Sequence, residues 1–336
     1  MGKNRMLTTA ACRSDGQQRI GGAQILAVGV VCALGILLGG CVMTNALLMS
    51  SGSAVNKGDG FDAVPMEQVV PVARSDDYRP RPRLGVAFGG GGVRGFVHLG
   101  VMRALDEAGI EADMVTGASA GSIAASLYAS GLPYREIETV ARSVSEYDLA
   151  DLVIHKQGAI KGEALARWIG EATGQRRIKE LPIPLGIAVT DLTNGKSLLV
   201  VDGDVGKAVQ ASSSVPGAFV PMQVAGAIWV DGGILSLVPV RFTRAMGADV
   251  VVAVDIYCGS HLPLKGTLFD NVLSTFRLQS CLLNRQEATE ADFLIRPKFE
   301  PVSVSSFKQR EEAMKAGYEA TKAIVPALIQ RLSLER

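Results

Sequence analysis

Short apolar runs alternate with glycine-rich turns and amphipathic stretches over most of the chain after residue 83. Apolar runs bounded by turn residues are typical of buried strands, and apolar residues at every third or fourth position are typical of helices. The pattern predicts strands at 84–88, 113–116, 185–191, 197–201, 227–230, 249–255 and 292–296. Because helical patterns lie between several of these strands, we expect a three-layer α/β/α sandwich with a mostly parallel central sheet.

The first 40 residues have the layout of a secretory signal peptide. No charged residue occurs between Arg19 and Lys57, and the apolar run at 25–38 is shorter than the roughly 20 residues that a helix needs to span a bilayer. The run ends in Leu38-Gly-Gly-Cys41, which resembles the lipobox of bacterial lipoproteins. This resemblance implies cleavage before Cys41 and covalent attachment of lipid to its thiol.

The residues after Cys41 predict how the chain is placed in the cell envelope. Val42 stands where an aspartate would imply retention at the inner membrane, so the lipoprotein resemblance implies sorting to the outer membrane. An uncleaved transmembrane anchor over 25–49 in the inner membrane is the alternative. Residues 41–82 are rich in Ser, Gly, Asn and Asp without clear periodicity, which indicates a flexible tether.

Composition and charge exclude several classes of protein. Of the 336 residues, 48% are apolar and 20% are charged, which excludes an intrinsically disordered chain. The formal net charge is +1, and it becomes about −2 without residues 1–40. Nucleic-acid binding is not expected, because it needs clustered positive charge. Cys258 and Cys281 are either two buried thiols or a disulfide, which an oxidising compartment permits.

The glycine-rich loop at 89–95 (GGGGVRG) allows two interpretations. Gly90, Gly92 and Gly95 match the G-x-G-x-x-G fingerprint of dinucleotide-binding proteins, which predicts an acidic residue about 20 positions further on, at the end of the next strand. Here Asp113 begins that strand instead. Alternatively, the N–H groups of the loop stabilise a developing oxyanion, and glycines are needed because side chains would block the approach. The loop by itself leaves both interpretations open.

Ser119 lies in the motif Gly117-Ala-Ser119-Ala-Gly121, between a predicted strand and a predicted helix. This is the setting of a nucleophile elbow, in which small neighbours allow a sharp turn that exposes the serine hydroxyl. Together with a glycine loop on the preceding strand, the motif favours the oxyanion interpretation. The sequence therefore predicts that Ser119 is a nucleophile.

Two residues are candidates for the base that this serine needs. His261, one of three histidines, completes the order Ser119–Asp231–His261 that α/β-hydrolases use. Asp231 is the second candidate, because it ends an apolar strand and is followed by Gly232 and Gly233. An aspartate in that position abstracts the serine proton directly if burial raises its pKa toward neutrality.

Three motifs in order resemble those of the patatin-like phospholipase family, namely GGGGVRG at 89–95, GASAG at 117–121 and DGG at 231–233. The resemblance covers about residues 83–297. It implies the α/β/α fold, a Ser119–Asp231 dyad in place of a triad, and hydrolysis of acyl esters in lipids without a metal or other cofactor.

The same resemblance assigns the supporting residues. The amides of Gly90, Gly91 and Gly92 are the implied oxyanion donors, and Arg94 is expected to brace their loop. Family members often continue Asn-Pro-x-Pro after DGG, whereas this chain has Ser236-Leu-Val-Pro239. The shape of the loop after Asp231 is therefore left open.

The sequence thus predicts a membrane-tethered serine acyl hydrolase of the phospholipase A or lysophospholipase type, whose partners are a lipid substrate and the membrane. An esterase with a Ser–Asp–His triad, a nucleotide-binding protein, and a lipid-binding lipoprotein with unused motifs are the alternatives. The segment 132–184 is either a cap over the acyl chain or a set of ordinary outer helices. Headgroup, acyl chain and oligomeric state are not specified. The expected organisation is a signal peptide (1–40), a tether (41–82), the hydrolase domain (83–297) and its C-terminal packing helix (298–336).

Overall fold

A mixed β-sheet of ten strands runs through the part of the chain that the computed structural model describes, namely residues 56–73, 81–259, 268–303 and 306–333. A separate hairpin provides two further strands. The strands are β1 (Asn56–Gly58), β2 (Phe61–Val64), β3 (Leu84–Phe88), β4 (Met114–Ala118), β5 (Leu152–His155), β6 (Gly158–Ile160), β7 (Leu185–Asp191), β8 (Lys196–Asp202), β9 (Met222–Val224), β10 (Ala227–Asp231), β11 (Val250–Val254) and β12 (Phe293–Ile295). The α-helices of the described residues are α1 (Phe96–Glu107), α2 (Ala120–Ala129), α3 (Tyr134–Ser143), α4 (Glu146–Leu149), α5 (Glu163–Ala172), α6 (Val205–Ser212), α7 (Val240–Ala245), α8 (Leu268–Thr289) and α9 (Arg310–Ser333).

The centre of the sheet is parallel. The strand order is β1-β2-β8-β7-β4-β3-β11-β12, and each pair from β7 through to β12 is parallel. Every residue of β3 and β11 is buried. Their uninterrupted apolar runs, LGVAF and VVVAV, suit strands that are covered on both faces. The carboxyl ends of β3 and β4 lie side by side, which brings the glycine loop next to the serine motif.

The remaining pairings in the sheet are antiparallel, so the prediction of a mostly parallel sheet needs correction. β8 and β10 each pair antiparallel with β7, and β9 pairs antiparallel with β10. The connections explain two of these pairings, because a hairpin turn can only join antiparallel strands, whereas a parallel pair needs a long crossover. Residues 192–195 join β7 to β8, and residues 225–226 join β9 to β10.

Residues 56–64 belong to the sheet and not to a flexible tether. β2 pairs antiparallel with the edge strand β8, and β1 pairs with β2. The Phe61 side chain is buried, and its ring centre lies 5.6 Å from that of Trp229. The tether expected over 41–82 is therefore wrong for this part. A short edge strand needs only two or three apolar side chains, and so few leave no clear periodicity in the sequence.

Helix α9 packs directly on α1 through two glycines. A Cβ atom added at Gly100 would lie 1.9 Å from the carbonyl oxygen of Met314, and one at Gly317 would lie 2.0 Å from that of Val97. Only glycine allows the two backbones to approach so closely. Among the described residues, no helix combines the length and the apolar composition that crossing a bilayer requires.

Cys258 and Cys281 form a disulfide, with their Cα atoms 5.6 Å apart. Of the two alternatives that the sequence left open, the structure has the bridge. It joins the segment after β11 to helix α8, which also contacts the loop that follows Asp231.

Candidate active site

Ser119 occupies the sharp turn between β4 and α2. Its backbone has φ of +52° and ψ of −127°, a conformation that non-glycine residues rarely adopt. The flanking glycines make the turn possible, because a Cβ atom at Gly117 would lie 2.3 Å from the carbonyl oxygen of Gly121, and one at Gly121 would lie 2.0 Å from that of Phe88. The structure therefore has the nucleophile elbow that the G-x-S-x-G motif predicts.

Two further serines hold this turn in place. The N–H of Ser119 donates to Oγ of Ser212 at 2.8 Å, and Oγ of Ser212 in turn donates to the carbonyl oxygen of Ala188 at 2.7 Å. Oγ of Ser122 donates to the carbonyl oxygen of Ser119 at 2.6 Å. The role of Ser212 was not predicted, because it depends on a contact between residues that are far apart in the sequence.

Asp231 ends β10 next to this turn. Its N–H donates to the carbonyl oxygen of Ser214 at 3.0 Å, and its Oδ1 accepts the N–H of Gly233 at 2.7 Å. A Cβ atom at Gly232 would lie 2.1 Å from the carbonyl oxygen of Ala188. In the DGG motif, Gly232 therefore allows close packing against β7, and Gly233 orients the Asp231 carboxylate through its N–H.

The carboxyl group of Asp231 has the electrostatics of a general base. Burial raises the pKa of Asp231 from 3.8 to about 6, and hydrogen bonding from the Ser119 hydroxyl and the Gly233 N–H partly opposes that rise. Oδ2 of Asp231 is a buried acceptor without a hydrogen-bond partner among the described residues. A carboxylate with this pKa is ionised at neutral pH and takes up a proton readily.

The glycine loop lies against the nucleophile, as the oxyanion interpretation requires. A Cβ atom at Gly90 would lie 3.0 Å from Cβ of Ser119. The N–H of Gly90, however, donates to the carbonyl oxygen of Leu237 at 3.0 Å. The assignment of Gly90 as an oxyanion donor is therefore corrected, because its one N–H is already engaged. Within the described residues, the N–H groups of Gly91 and Gly92 have no acceptor.

The loop after Asp231, whose shape the sequence left open, holds the glycine loop. Leu237 accepts the Gly90 N–H through its carbonyl oxygen and donates its own N–H to Oδ1 of Asn284 on α8, at 2.8 Å. Oγ of Ser236 donates to Oε1 of Glu287 at 3.3 Å. Glu287 is buried and lies one turn further along the same helix. Helix α8 thus supports both loops of the candidate site.

Arg94 is buried behind the glycine loop. Its Nη1 donates to the carbonyl oxygen of Gly91 at 3.4 Å, its Nη2 pairs with Glu300, and its guanidinium lies 5.4 Å from the centre of the Tyr257 ring. Burial and the neighbouring charge of Arg277 lower the pKa of Arg94, and the ion pair with Glu300 opposes this change. Arg94 is thus placed where it can brace the loop. Sequence reasoning missed Tyr257, Arg277 and Glu300, because only the tertiary fold brings them to Arg94.

The described histidines do not contact the candidate dyad. His98 is buried, its Nε2 lies 2.8 Å from the carbonyl oxygen of Gly89, and burial lowers its pKa to about 4. His155 is exposed on the β5–β6 hairpin. His261 lies outside the described residues. No group of three or more His, Cys, Asp or Glu side chains in the described part of the chain is placed to hold a metal ion.

An apolar pocket of about 90 Å³ begins beside the nucleophile. It is lined by Gly92 and Val93 of the glycine loop and by Ala120, the residue after Ser119. The segment 132–184, whose role the sequence left open, contributes to the wall of this pocket with Ala141, Val144, Leu149 and Trp168.

Residues 86–244 match the patatin-like phospholipase family, a range that contains the glycine loop, the elbow and the DGG motif. Residues 86–244 of the chain belong to the patatin-like phospholipase family. The resemblance seen in the three sequence motifs is thereby confirmed.

Two relatives with curated names show how far the similarity extends. An uncharacterized NTE family protein of Mycobacterium tuberculosis is 33% identical over 178 residues, which are 52% of this chain and 49% of that protein. Lysophospholipase NTE1 of Mycosarcoma maydis is 32% identical over 247 residues, which are 69% of this chain and 13% of that protein. The patatin-like chain thus spans at most about half the length of these curated relatives.

The fold is also found in a solved structure. The crystal structure of VipD from Legionella pneumophila superimposes with a TM-score of 0.51 at 15% sequence identity, over 77% of this chain and 70% of that one. This similarity concerns the fold alone. Together with the mixed sheet, it confirms the predicted α/β/α architecture of a patatin-like domain.

Proposed function

We propose that this patatin-like chain hydrolyses acyl esters of lipids with a Ser119–Asp231 dyad. The observation that carries the proposal is the Asp231 carboxyl, which is buried, has its pKa raised toward neutrality, and has one unpartnered oxygen next to a serine in an elbow. The relationship to a named lysophospholipase supports a lipid ester as the substrate.

In the proposed reaction, Asp231 takes the Ser119 proton while Oγ attacks the ester carbonyl. The N–H groups of Gly91 and Gly92 stabilise the oxyanion of the tetrahedral intermediate. Asp231 then returns its proton to the departing alcohol, which leaves an acyl group on Ser119. Water, deprotonated by the same carboxylate, attacks the acyl-enzyme. Asp231 then returns that proton to Oγ of Ser119 as the ester bond to the serine breaks and the fatty acid leaves. The apolar pocket beside Ala120 is suited to the acyl chain, because its walls offer almost no polar group.

The pH dependence of catalysis tests this assignment of the base. Because the free enzyme must hold Asp231 ionised, we expect kcat/KM for a soluble short-chain ester to rise with pH through about 6 and then level off. The profile should be measured at two temperatures, since the ionisation of a carboxyl group depends little on temperature whereas an imidazole pKa falls on warming. A midpoint that falls on warming would assign the base to a histidine and contradict the dyad.

We further propose that the chain is an envelope lipoprotein attached through Cys41, which lies outside the described residues. The lipobox-like sequence supports this proposal, and the Cys258–Cys281 disulfide is compatible with an oxidising compartment. Outer-membrane sorting and an inner-membrane anchor are the two variants that the sequence predicts.

Substitution of Cys41 tests the lipid attachment. We expect Cys41→Ser to abolish incorporation of a radioactive fatty acid and to leave the precursor uncleaved, because only the thiol accepts the lipid. Cys32→Ser, in the apolar run before the cleavage site, is the matched control and should be labelled normally. Equal label in the wild type and in Cys41→Ser would contradict the lipoprotein assignment.

A further inference from the structure

The β5–β6 hairpin presents aliphatic side chains that none of the described residues covers. Leu152 is 75% exposed and Ile154 is fully exposed. The β5–β6 pairing shifts register between Leu152 and His155, and both aliphatic side chains are exposed there, so that together they form an exposed apolar face. Tyr147 of α4, which is 85% exposed, precedes them by a few residues. An apolar face that stays in water contributes no hydrophobic stabilisation, and a two-stranded hairpin is only marginally stable without it.

Backbone hydrogen bonds fix the base of this hairpin to the candidate active site. Ile160 donates its N–H to the carbonyl oxygen of Ala218 at 3.0 Å and accepts the N–H of Val220 at 2.9 Å. These bonds hold residues 218–220, which follow Ser214 in the chain. The carbonyl oxygen of Ser214 accepts the N–H of Asp231. The hairpin is therefore attached to the same segment that positions the candidate base.

The exposed face also lies close to the apolar pocket. Leu149 lines the pocket and precedes Leu152 by three residues, so their Cα atoms are no more than about 11 Å apart. The apolar wall of the pocket and the exposed apolar face are thus neighbours. An acyl chain that leaves a lipid layer beside the hairpin would have a short path to Ser119.

We propose that Tyr147, Leu152 and Ile154 form a docking surface for the lipid layer that contains the substrate. This inference rests on the proposed lipid hydrolase function. Aliphatic side chains gain free energy when they enter the acyl region, and tyrosine suits the boundary between headgroups and acyl chains. The occupant is a lipid surface and not a second copy of the chain, because three side chains cannot supply the roughly 800 Å² per partner that a stable dimer buries.

A local fluorescent reporter tests the contact. Ile154→Trp is introduced into the full chain that carries Ser119→Ala, so that phosphatidylcholine vesicles are not consumed. We expect vesicles to shift the emission of this tryptophan to the blue, and bromine on the lipid acyl chains to quench it, relative to the parent with Trp168 and Trp229 alone. Leu283→Trp on α8, where the native side chain is 66% exposed, is the matched control and should not respond.

The tryptophan at position 154 reports only on its own surroundings. Vesicle binding through another part of the chain therefore does not change its emission. No response at Ile154→Trp, or an equal response at Leu283→Trp, would overturn the proposal. A concentration-dependent dimer that Ile154→Ser abolishes, without any lipid response, would assign the face to a second copy and would also overturn it.

Hydrolysis by serine variants separates docking from chemistry. We expect Leu152→Ser combined with Ile154→Ser to lower hydrolysis of vesicle phosphatidylcholine by at least about tenfold, from the lost burial of two aliphatic side chains, and to leave hydrolysis of a soluble short-chain ester unchanged. Leu282→Ser combined with Leu283→Ser is the control pair. Equal losses on both substrates, or no loss on vesicles, would contradict docking. A wild type inactive on both would contradict the proposed function, while the reporter would still decide the docking.

Discussion

Replacement of Ser119 by alanine is expected to lower kcat for ester hydrolysis by roughly 10⁴-fold or more, the scale of losses seen when nucleophiles of related chemistry are removed. Without the hydroxyl no acyl-enzyme forms, and any remaining rate comes from water activated by Asp231. The measurement is the steady-state rate on a soluble short-chain ester. Labelling with a fluorophosphonate followed by peptide mass analysis should modify Ser119 in the wild type and nothing in the variant.

Ser126→Ala is the matched control for this substitution. Ser126 lies on the same helix, α2, is fully buried, and its hydroxyl has no hydrogen-bond partner among the described residues. The same change of atoms is therefore made two helical turns away from the nucleophile, and we expect activity close to that of the wild type. If both variants lost activity equally, a packing defect of α2 would explain the loss, and Ser119 would not be assigned as the nucleophile.

Replacement of Asp231 by asparagine is expected to lower kcat by about 10³-fold or more, within the range that general base catalysis contributes. An asparagine oxygen can still accept the Gly233 N–H, but the amide cannot take the proton of Ser119. The remaining activity should also lose the rise through pH 6, because the group responsible for it is gone.

The fold of this variant should not suffer. The pKa of Asp231 is higher in the folded chain than in the unfolded chain, so ionisation between pH 4 and 6 costs folding free energy that the neutral amide does not. We therefore expect Asp231→Asn to raise the free energy of unfolding above pH 6, by about 3 kcal/mol. Thermal unfolding at pH 8 checks this. If Asp231→Asn were inactive and also much less stable than the wild type, misfolding would explain the loss of activity and the expected gain in stability would be wrong.

Two controls separate the dyad from a triad. Asp191→Asn changes another buried aspartate, one that accepts hydrogen bonds from Thr193 and Asn194 in a turn, and it should keep most of the activity. His261→Ala should also stay active if Asp231 is the base, because no imidazole then carries the proton. If His261→Ala lost as much activity as Ser119→Ala, the site would work as a Ser–Asp–His triad and the dyad would be wrong.

Much of the candidate site was predictable because its constraints are local. The turn around Ser119 needs small residues at fixed positions beside the serine, and Gly117 and Gly121 show this in the sequence. The DGG motif likewise places two required glycines next to Asp231. The interior strands β3 and β11 were also predictable, since a strand covered on both faces must be apolar at every position.

Contacts between distant segments were decided by the tertiary structure. The family resemblance implied that the Gly90 N–H donates to the oxyanion, but that N–H donates to the carbonyl oxygen of Leu237. Arg94 was expected to brace the loop, but its partner Glu300 could not be predicted, because it lies 206 positions away in the sequence. The pairing of Cys258 with Cys281 and the edge strand β2 depend in the same way on segments that meet only when the chain folds.

The difference has one physical cause. Features that arise from steric limits within a few residues can be predicted from the sequence, such as a turn that tolerates only glycine or a strand that tolerates only apolar side chains. An N–H group, a guanidinium or a thiol can be satisfied by many partners, and its own neighbours in the sequence do not specify which one. The packing of β11, α8 and the loop after Asp231 made that choice for Gly90, and the N–H groups of Gly91 and Gly92 have no acceptor among the described residues.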